Sequence, residues 1–379
     1  MVDSILGRID FFVATETLEK TMNKKYRIVI YILIVLFLSA CSGEHPSASP
    51  VFDNHKNSPD LSDKVNIITS SENKLSLSLE ELHVMNLIPL NNLIPIGTPS
   101  VLMTHDGGFY PIKIDGYLEY QENHINYLNP NQKLVIFDVV GIIEQPPGKS
   151  IMDTYYDALK FIDMDEKVMV IYIDGFSFGQ YNYAVANSYI PFMSNLNNVE
   201  MALTVFKPVT NSGMMAMLTG QPPYINGISD RSNRNPKVET IFDYLNSNGK
   251  SSMLIEGNAN ILNLNTDIIL NPDRNNNGHT DDEVFQSAIE NINKVDYYMV
   301  HIHGLDDSGH TYGDFADETM TKLLEIDGYV KSLVSLWDEK VIITSDHGMH
   351  STDTGGDHGV FRYEDMIVPY IITEGGMQE

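Results

Sequence analysis

Asp174, Thr210, Asp306, His310, Asp346, His347 and His358 are the residues of this 379-residue chain whose types and contexts could do chemistry together. Three of the contexts are short and distinctive. Asp174 opens Asp174-Gly175-Phe176-Ser177 after the apolar run Val168 to Ile173; Asp306 stands four residues ahead of His310 in Asp306-Asp307-Ser308-Gly309-His310; and Asp346 adjoins His347 in Ser345-Asp346-His347-Gly348-Met349. Carboxylate and imidazole together suit zinc where no thiolate is on offer. None is, because Cys41 is the single cysteine, which also excludes an intramolecular disulfide. One Asp at the end of a buried strand most simply caps the next helix. Three of them, two with a histidine in the same phrase, point to a shared site.

Thr210 supplies a candidate nucleophile in Phe206-Lys207-Pro208-Val209-Thr210-Asn211-Ser212, just ahead of a short helix expected over Gly213 to Leu218. A hydroxyl at a helix start sits among free backbone N–H groups that favour an anion, and beside zinc it could ionise near neutral pH, as zinc-bound water does. Taken alone, the stretch reads more simply as a threonine N-cap.

The elements that must position these residues are visible from about Lys167 onward, where buried strand-like runs alternate with amphipathic helices. That texture implies a doubly wound, mostly parallel α/β sheet covered on both faces. The expected strands are Val168 to Ile173, Met201 to Phe206, Ser252 to Ile255, Tyr297 to Ile302, Val341 to Thr344 and Ile367 to Ile372, and the expected helices Val238 to Asn246, Asp282 to Ile292 and Ala316 to Leu336. Residues that follow the carboxyl ends of parallel strands converge on one crevice, so distance in sequence is no obstacle. Residues 64–163 form a β-rich accessory segment with strand-like runs at Tyr110 to Tyr120 and Leu134 to Ile143, and residues 164–379 form the catalytic domain.

The first apolar run is a targeting signal. Lys24, Lys25 and Arg27 precede Ile28 to Leu38, which is too short to span a bilayer and suits a signal-peptide core. Leu38-Ser39-Ala40-Cys41 resembles a bacterial lipobox, which implies cleavage before Cys41 and attachment of acyl lipid such as palmitate to the chain. Residues 1–40 are then the signal region, with Met22 as the expected start, and the Ser-, Pro- and Asp-rich residues 41–63 a tether. Membrane contact through the lipid on Cys41 places the remainder outside the cytoplasmic membrane.

Composition narrows the substrate. A net charge of −27 excludes a general nucleic-acid surface, since phosphate backbones are held by an excess of Lys and Arg. A small phosphate ester would have to be attracted locally, by metal ions whose charge dominates a small site. No protein partner is expected.

Residues 167 to 379 resemble the alkaline phosphatase superfamily, in particular its type I phosphodiesterase/nucleotide pyrophosphatase branch. The resemblance rests on the phrases around Asp174, Asp306 and Asp346, and on Thr210 standing nine residues ahead of Thr219-Gly220, which makes Ser212 the lesser candidate. It implies the doubly wound fold and two divalent ions, zinc by preference. Asp174, Thr210, Asp346 and His347 would hold one ion and Asp306, His310 and His358 the other, with His350 as the alternative to His358. It further implies hydrolysis of phosphate esters through a phosphothreonine on Thr210. This chain departs from the branch at Gly213, where the family has Asn, and Asn211 is the expected substitute for holding a phosphoryl oxygen. A sulfatase is disfavoured, because no Cys or Ser in a C/S-x-P-x-R context lies near the nucleophile position.

Other activities stay open: a phosphomonoesterase or phosphotransferase of the same superfamily, and a surface lipoprotein that binds metal or ligand without catalysis. Two further features carry double readings. Asp273 to Glu283 imitates a calcium loop but places Val284 where a bidentate Glu belongs, and so reads as a polar turn capping the next helix. Arg231, Arg234 and Lys237 either bind a substrate phosphate or line a solvated loop.

Overall fold

The computed structural model describes residues 64–376; the signal region, Cys41 and the tether lie outside the described residues. The chain from residue 64 begins with nine strands, β1 (Lys64–Ile68), β2 (Asn73–Ser78), β3 (Leu87–Pro89), β4 (Pro99–Thr104), β5 (Phe109–Lys113), β6 (Tyr117–Gln121), β7 (His124–Asn129), β8 (Leu134–Ile136) and β9 (Val139–Glu144), and one short helix, α1 (Leu79–Met85). They form a five-stranded sheet in the order β2-β1-β9-β4-β5 and a four-stranded sheet in the order β3-β6-β7-β8. The two expected runs in this segment are each broken into a pair of strands by turns, at Ile114 to Gly116 and at Phe137-Asp138. Gly116 and Asp138 take positive φ there, which a continuing strand does not accommodate.

The large sheet has eight strands: β10 (Lys149–Ser150), β11 (Val168–Ile173), β12 (Val199–Leu203), β13 (Ser252–Glu256), β14 (Asp267–Leu270), β15 (Tyr297–Ile302), β16 (Lys340–Thr344) and β19 (Ile367–Glu374), in the order β10-β12-β19-β16-β11-β15-β13-β14. A small hairpin of β17 (His350–Thr352) and β18 (Gly355–Asp357) stands apart from it. Only β19 runs against its neighbours, pairing antiparallel with β12 and β16. The expected fold class is therefore the observed one. Helices of seven residues or more that flank it are α2 (Asp153–Asp163), α3 (Phe178–Ala186), α4 (Thr210–Thr219), α5 (Ile241–Ser247), α6 (Asp281–Asn291), α7 (Gly304–Tyr312) and α8 (Asp317–Leu336).

The central strand β11 shows why helices must cover both faces. All six of its residues are buried; Met169, Ile171 and Ile173 enter one core with α3, α6 and α8, while Val168, Val170 and Tyr172 enter another with α2, α4 and α5. A strand with no polar face has to be sandwiched. Residues 149–163, which the sequence groups with the accessory segment, pack with the large sheet instead: β10 pairs with β12, and Ala158 and Ile162 of α2 lie in the second of these cores. The β-rich segment and the sheet share a further core, in which Ile68, Met103 and Ile143 meet Leu203, Phe361 and Ile367.

Candidate active site

The site is assembled at the carboxyl ends of three neighbouring parallel strands, β16, β11 and β15. Their ends are level, with Ile173 opposite Ile302 and Tyr172 opposite Thr344. Asp174 is the next residue after β11, and its backbone N–H donates to the Ile302 carbonyl at 2.9 Å. Asp346 and His347 follow β16 after Ser345, whereas β15 leads into α7, which carries Asp306 and His310 one turn apart on the same face. Gly175 makes their convergence possible. It takes φ +72°, and a Cβ there would stand 2.8 Å from Asp306 Oδ1, so a side chain is refused on both counts.

Thr210 is the first residue of α4, a longer helix than the sequence suggested, and all of α4 is buried. That first turn is seated against β16, since a Cβ on Gly213 would lie 2.6 Å from both the Cβ and the carbonyl oxygen of Asp346. A side chain at position 213 is therefore refused by this packing. Gly213→Asn is expected to destabilise the protein by about 1–3 kcal/mol through overpacking, read as a lowered melting temperature; an unchanged melting temperature would show that α4 can retreat.

The donor atoms are close-set. His347 Nε2 lies 3.1 Å from Asp346 Oδ2 and 3.4 Å from Asp174 Oδ1. Asp306 faces His310 Nε2 at 3.4 Å through Oδ2 and His358 Nε2 at 3.7 Å through Oδ1. The rings are held from behind by backbone carbonyls, with His310 Nδ1 3.0 Å from Gly356 O, His358 Nδ1 2.9 Å from Pro208 O and His347 Nδ1 3.0 Å from Gly348 O. Such contacts fix the tautomer that leaves Nε2 for a metal. Asp174 Oδ1, Asp306 Oδ1, Asp346 Oδ2 and His347 Nε2 are buried and have no hydrogen-bond partner. Buried polar atoms are otherwise almost always paired. Asp306, His347 and His358, and again Asp174, Asp346 and His347, each offer ligand atoms within 4.8 Å of one another. Orphaned carboxylate and imidazole donors so arranged fit hard or borderline divalent cations.

The profile of the family "Type I phosphodiesterase / nucleotide pyrophosphatase" matches residues 263–371. The resemblance is borne out over that segment. Asp306, His310, Asp346, His347 and His358 lie within it, and Asp174 and Thr210 before it. No protein of curated function matches the chain by sequence. Among solved structures, phosphonoacetate hydrolase from Sinorhizobium meliloti 1021 in complex with phosphonoformate is 16% identical, with a TM-score of 0.41 over 48% of this chain and 56% of that one. Murine ectonucleotide pyrophosphatase/phosphodiesterase 5 is 20% identical, with a TM-score of 0.40 over 50% of this chain and 58% of that one. The chain thus spans little more than half the length of these structures, and likeness at this level assigns no chemistry.

Asp174 and the acids and histidines of the matched segment form one electrostatic unit. Burial opposes ionisation of Asp174, but His303, His301 and His347 outweigh it and hold this carboxyl well below the usual range. Asp346 moves the other way, pushed up to about 7 by burial and by the charge on Asp174. Its hydrogen bond with Asp306 raises His310 to about 9, while burial and the adjacent His347 push His358 down to about 4. His347 and His358 are stacked at 3.8 Å, so the two rings cannot both carry charge cheaply. Metal ligation needs ionised carboxylates and neutral imidazoles. As ligands, Asp346 and His310, raised to about 7 and about 9, would have to give up protons, so affinity for a divalent cation such as zinc is expected to rise with pH and its uptake at pH 7 to release protons. Calorimetric titration in buffers of different ionisation enthalpy measures this; heats independent of the buffer would count against Asp346 and His310 as ligands.

Of the other residues singled out by sequence, Asn211 is buried and donates Nδ2 to the Ile261 carbonyl at 3.3 Å. His350 is turned away from the cluster, its Nδ1 2.6 Å from Asp365 Oδ1. Arg231 reaches the site, Nη2 lying 3.5 Å from His358 Nε2, whereas Lys237 folds over Gly227. Beyond the loop that starts at Asp273, Asp281 at the start of α6 accepts the N–H groups of His303 and Gly304 at the start of α7, and Val284 belongs to the core. The first residue of α6 therefore caps the helix bearing Asp306 and His310. Sequence reasoning passed over His301, His303 and Glu256. His301 Nε2 and His303 Nδ1 lie 3.0 Å and 2.6 Å from Asp174 Oδ2, and Glu256 Oε1 is 3.6 Å from His301 Nδ1. The signal available was two histidines alternating with Ile302 at the end of an otherwise apolar strand.

Proposed function

We propose that this chain is an extracytoplasmic, metal-dependent hydrolase of small phosphate esters, of the phosphodiesterase/pyrophosphatase type, that works through a phosphothreonine on Thr210. The observation that carries this reading is the set of unpaired buried donors on Asp174, Asp306, Asp346 and His347, gathered beside the helix turn that Thr210 begins. Asp174, Thr210, Asp346 and His347 would hold one cation and Asp306, His310 and His358 the other, with zinc suited to this donor set. When bound, such a pair supplies Lewis-acid stabilisation of the attacking and leaving oxygens of an in-line displacement.

The chain's own groups do the rest. Thr210 Oγ1 forms the bond to phosphorus as the bond to the leaving oxygen breaks, and water then attacks the phosphothreonine to return the free hydroxyl. The unpaired N–H groups at the start of α4 favour the anionic phosphoryl group. Asn211 would hold a phosphoryl oxygen in exchange for its contact with the Ile261 carbonyl. Carbonyls of Pro208 and Gly356 hold the His358 and His310 rings in their ligating orientation. In a chain of net charge −27, Arg231 beside His358 is the local cation able to offset an extra phosphate charge.

That position of Arg231 also favours a second reading, a phosphomonoesterase or phosphotransferase, because a terminal phosphate carries one charge more than a diester. Rates on mono- and bis-nitrophenyl phosphate, in the wild type and in Arg231→Ala, separate the two. The diesterase reading expects the diester to be the better substrate and little affected by the substitution; a preference for the monoester that disappears in Arg231→Ala would replace it. A chain that holds zinc but hydrolyses neither ester would be a metal-binding lipoprotein. Export and acylation at Cys41 rest on the lipobox alone; mass spectrometry of the N-terminal peptide from membranes tests them, and an unmodified peptide beginning before Cys41 would refute them.

A further inference from the structure

We propose that Glu256 and His301 are a buried positioning pair, which turns Asp174 so that one carboxylate oxygen alone faces the cation cradle. The inference rests on the metal-dependent reading above. Three adjacent strands lay these residues in a row across the sheet: Glu256 closes β13, His301 lies on β15 and Asp174 follows β11. Glu256 and Asp174 are fully buried and His301 is 3% exposed. The imidazole lies flat on Tyr172, its partner across the β11–β15 pairing, at 4.1 Å and 7°.

The ring so held has two acidic neighbours. Nε2 meets Asp174 Oδ2 at 3.0 Å and Nδ1 faces Glu256 Oε1 at 3.6 Å, while Glu256 Oε2 accepts the Ile261 N–H at 3.2 Å. Asp174 therefore divides its oxygens: Oδ2 is taken by His301 and by the outer His303, and Oδ1 is left unpaired, 3.4 Å from His347 Nε2. Burying charged groups together is seldom the most stabilising choice for a core, since apolar residues of similar volume do as well or better. Partners behind a metal ligand, in contrast, orient it and commonly alter metal affinity 10- to 100-fold. Fixing Oδ2 in advance removes the need to order Asp174 when a cation binds.

Zinc affinity, measured on the full exported chain by competition with a chromogenic chelator, tests the pair. His301→Phe keeps a flat ring on Tyr172 and removes both ring nitrogens; His301→Gln keeps an N–H donor. His301→Phe is expected to weaken zinc binding by about 10- to 100-fold, and His301→Gln to recover most of the loss, with far-ultraviolet circular dichroism of the metal-free proteins unchanged. Wild-type affinity in His301→Phe, or an equal loss in both variants, overturns the proposal. If His301→Phe does not fold, Glu256→Gln, which keeps the shape and drops the charge, is expected to weaken binding, and wild-type affinity there overturns it. A wild-type protein that takes up no zinc would instead refute the metal-dependent reading.

Discussion

Thr210→Ala is expected to lower turnover of an aryl phosphate ester by on the order of 10³-fold or more, the range in which loss of a catalytic nucleophile is felt. The expectation follows from place as much as from type. Thr210 begins a buried helix whose first turn rests on Asp346 at Gly213, and the carbonyl of Pro208, two residues earlier, holds His358. The start of this helix is thereby tied to residues of both proposed cation sites. Ser212 is the natural control. It is fully buried on the same helix two residues on, so Ser212→Ala tests for a general loss of packing in α4, and turnover is expected to stay within a few-fold of wild type. Steady-state kcat for both variants, together with acid-quench mass spectrometry of the peptide carrying Thr210, gives the answer. Wild-type rates in Thr210→Ala, or a phosphoryl group found on Ser212, would move the nucleophile.

How far the site could be read from sequence depended on how local each signal was. Val168 to Ile173 and Tyr297 to Ile302 are unbroken buried runs, and both strands fall where periodicity puts them. The acids after them were legible because a strand end in a parallel sheet is a place with a known use. The second expected strand, by contrast, begins and ends earlier, at Val199–Leu203, because the residues after Leu203 leave the sheet to deliver Thr210. Residues 149–163 were misgrouped for a related reason: β10 spans two residues, too short for any pattern, and only its pairing with β12 assigns it to the large sheet. His301 and Glu256 stayed hidden because each is an ordinary residue in its own strand. Only the order β11-β15-β13 makes them neighbours of Asp174, and strand order is a long-range property. The choice of His358 over His350 had no local signal to rest on; in the fold His350 Nδ1 lies 2.6 Å from Asp365 Oδ1.

Stripping divalent cations with a chelator should reduce turnover by about 10³-fold, since a metal at such a centre supplies several kcal/mol of transition-state stabilisation, and added zinc should restore it. The carboxylates give the reason why the chain alone cannot substitute. Asp174, Asp306 and Asp346 are buried within one cluster, and without a cation Asp346 is driven to about 7, so the stripped site is partly protonated. A substrate phosphate would then face buried acids and imidazolium groups already tied to carboxylates, such as His310 beside Asp306, with no divalent charge to meet it. One substitution isolates a single ligand from the general acidity of α7. Asp306 and Asp307 are neighbours, but the Asp306 side chain is 3% exposed and points at His310 and His358, whereas that of Asp307 is 59% exposed. Asp306→Asn should therefore cost zinc occupancy and nearly all activity, while Asp307→Asn changes both only within a few-fold, as expected of a screened surface charge. Metal content by atomic emission and kcat on the same preparations decide it, and full occupancy with wild-type rates in Asp306→Asn would leave this cluster without a catalytic role.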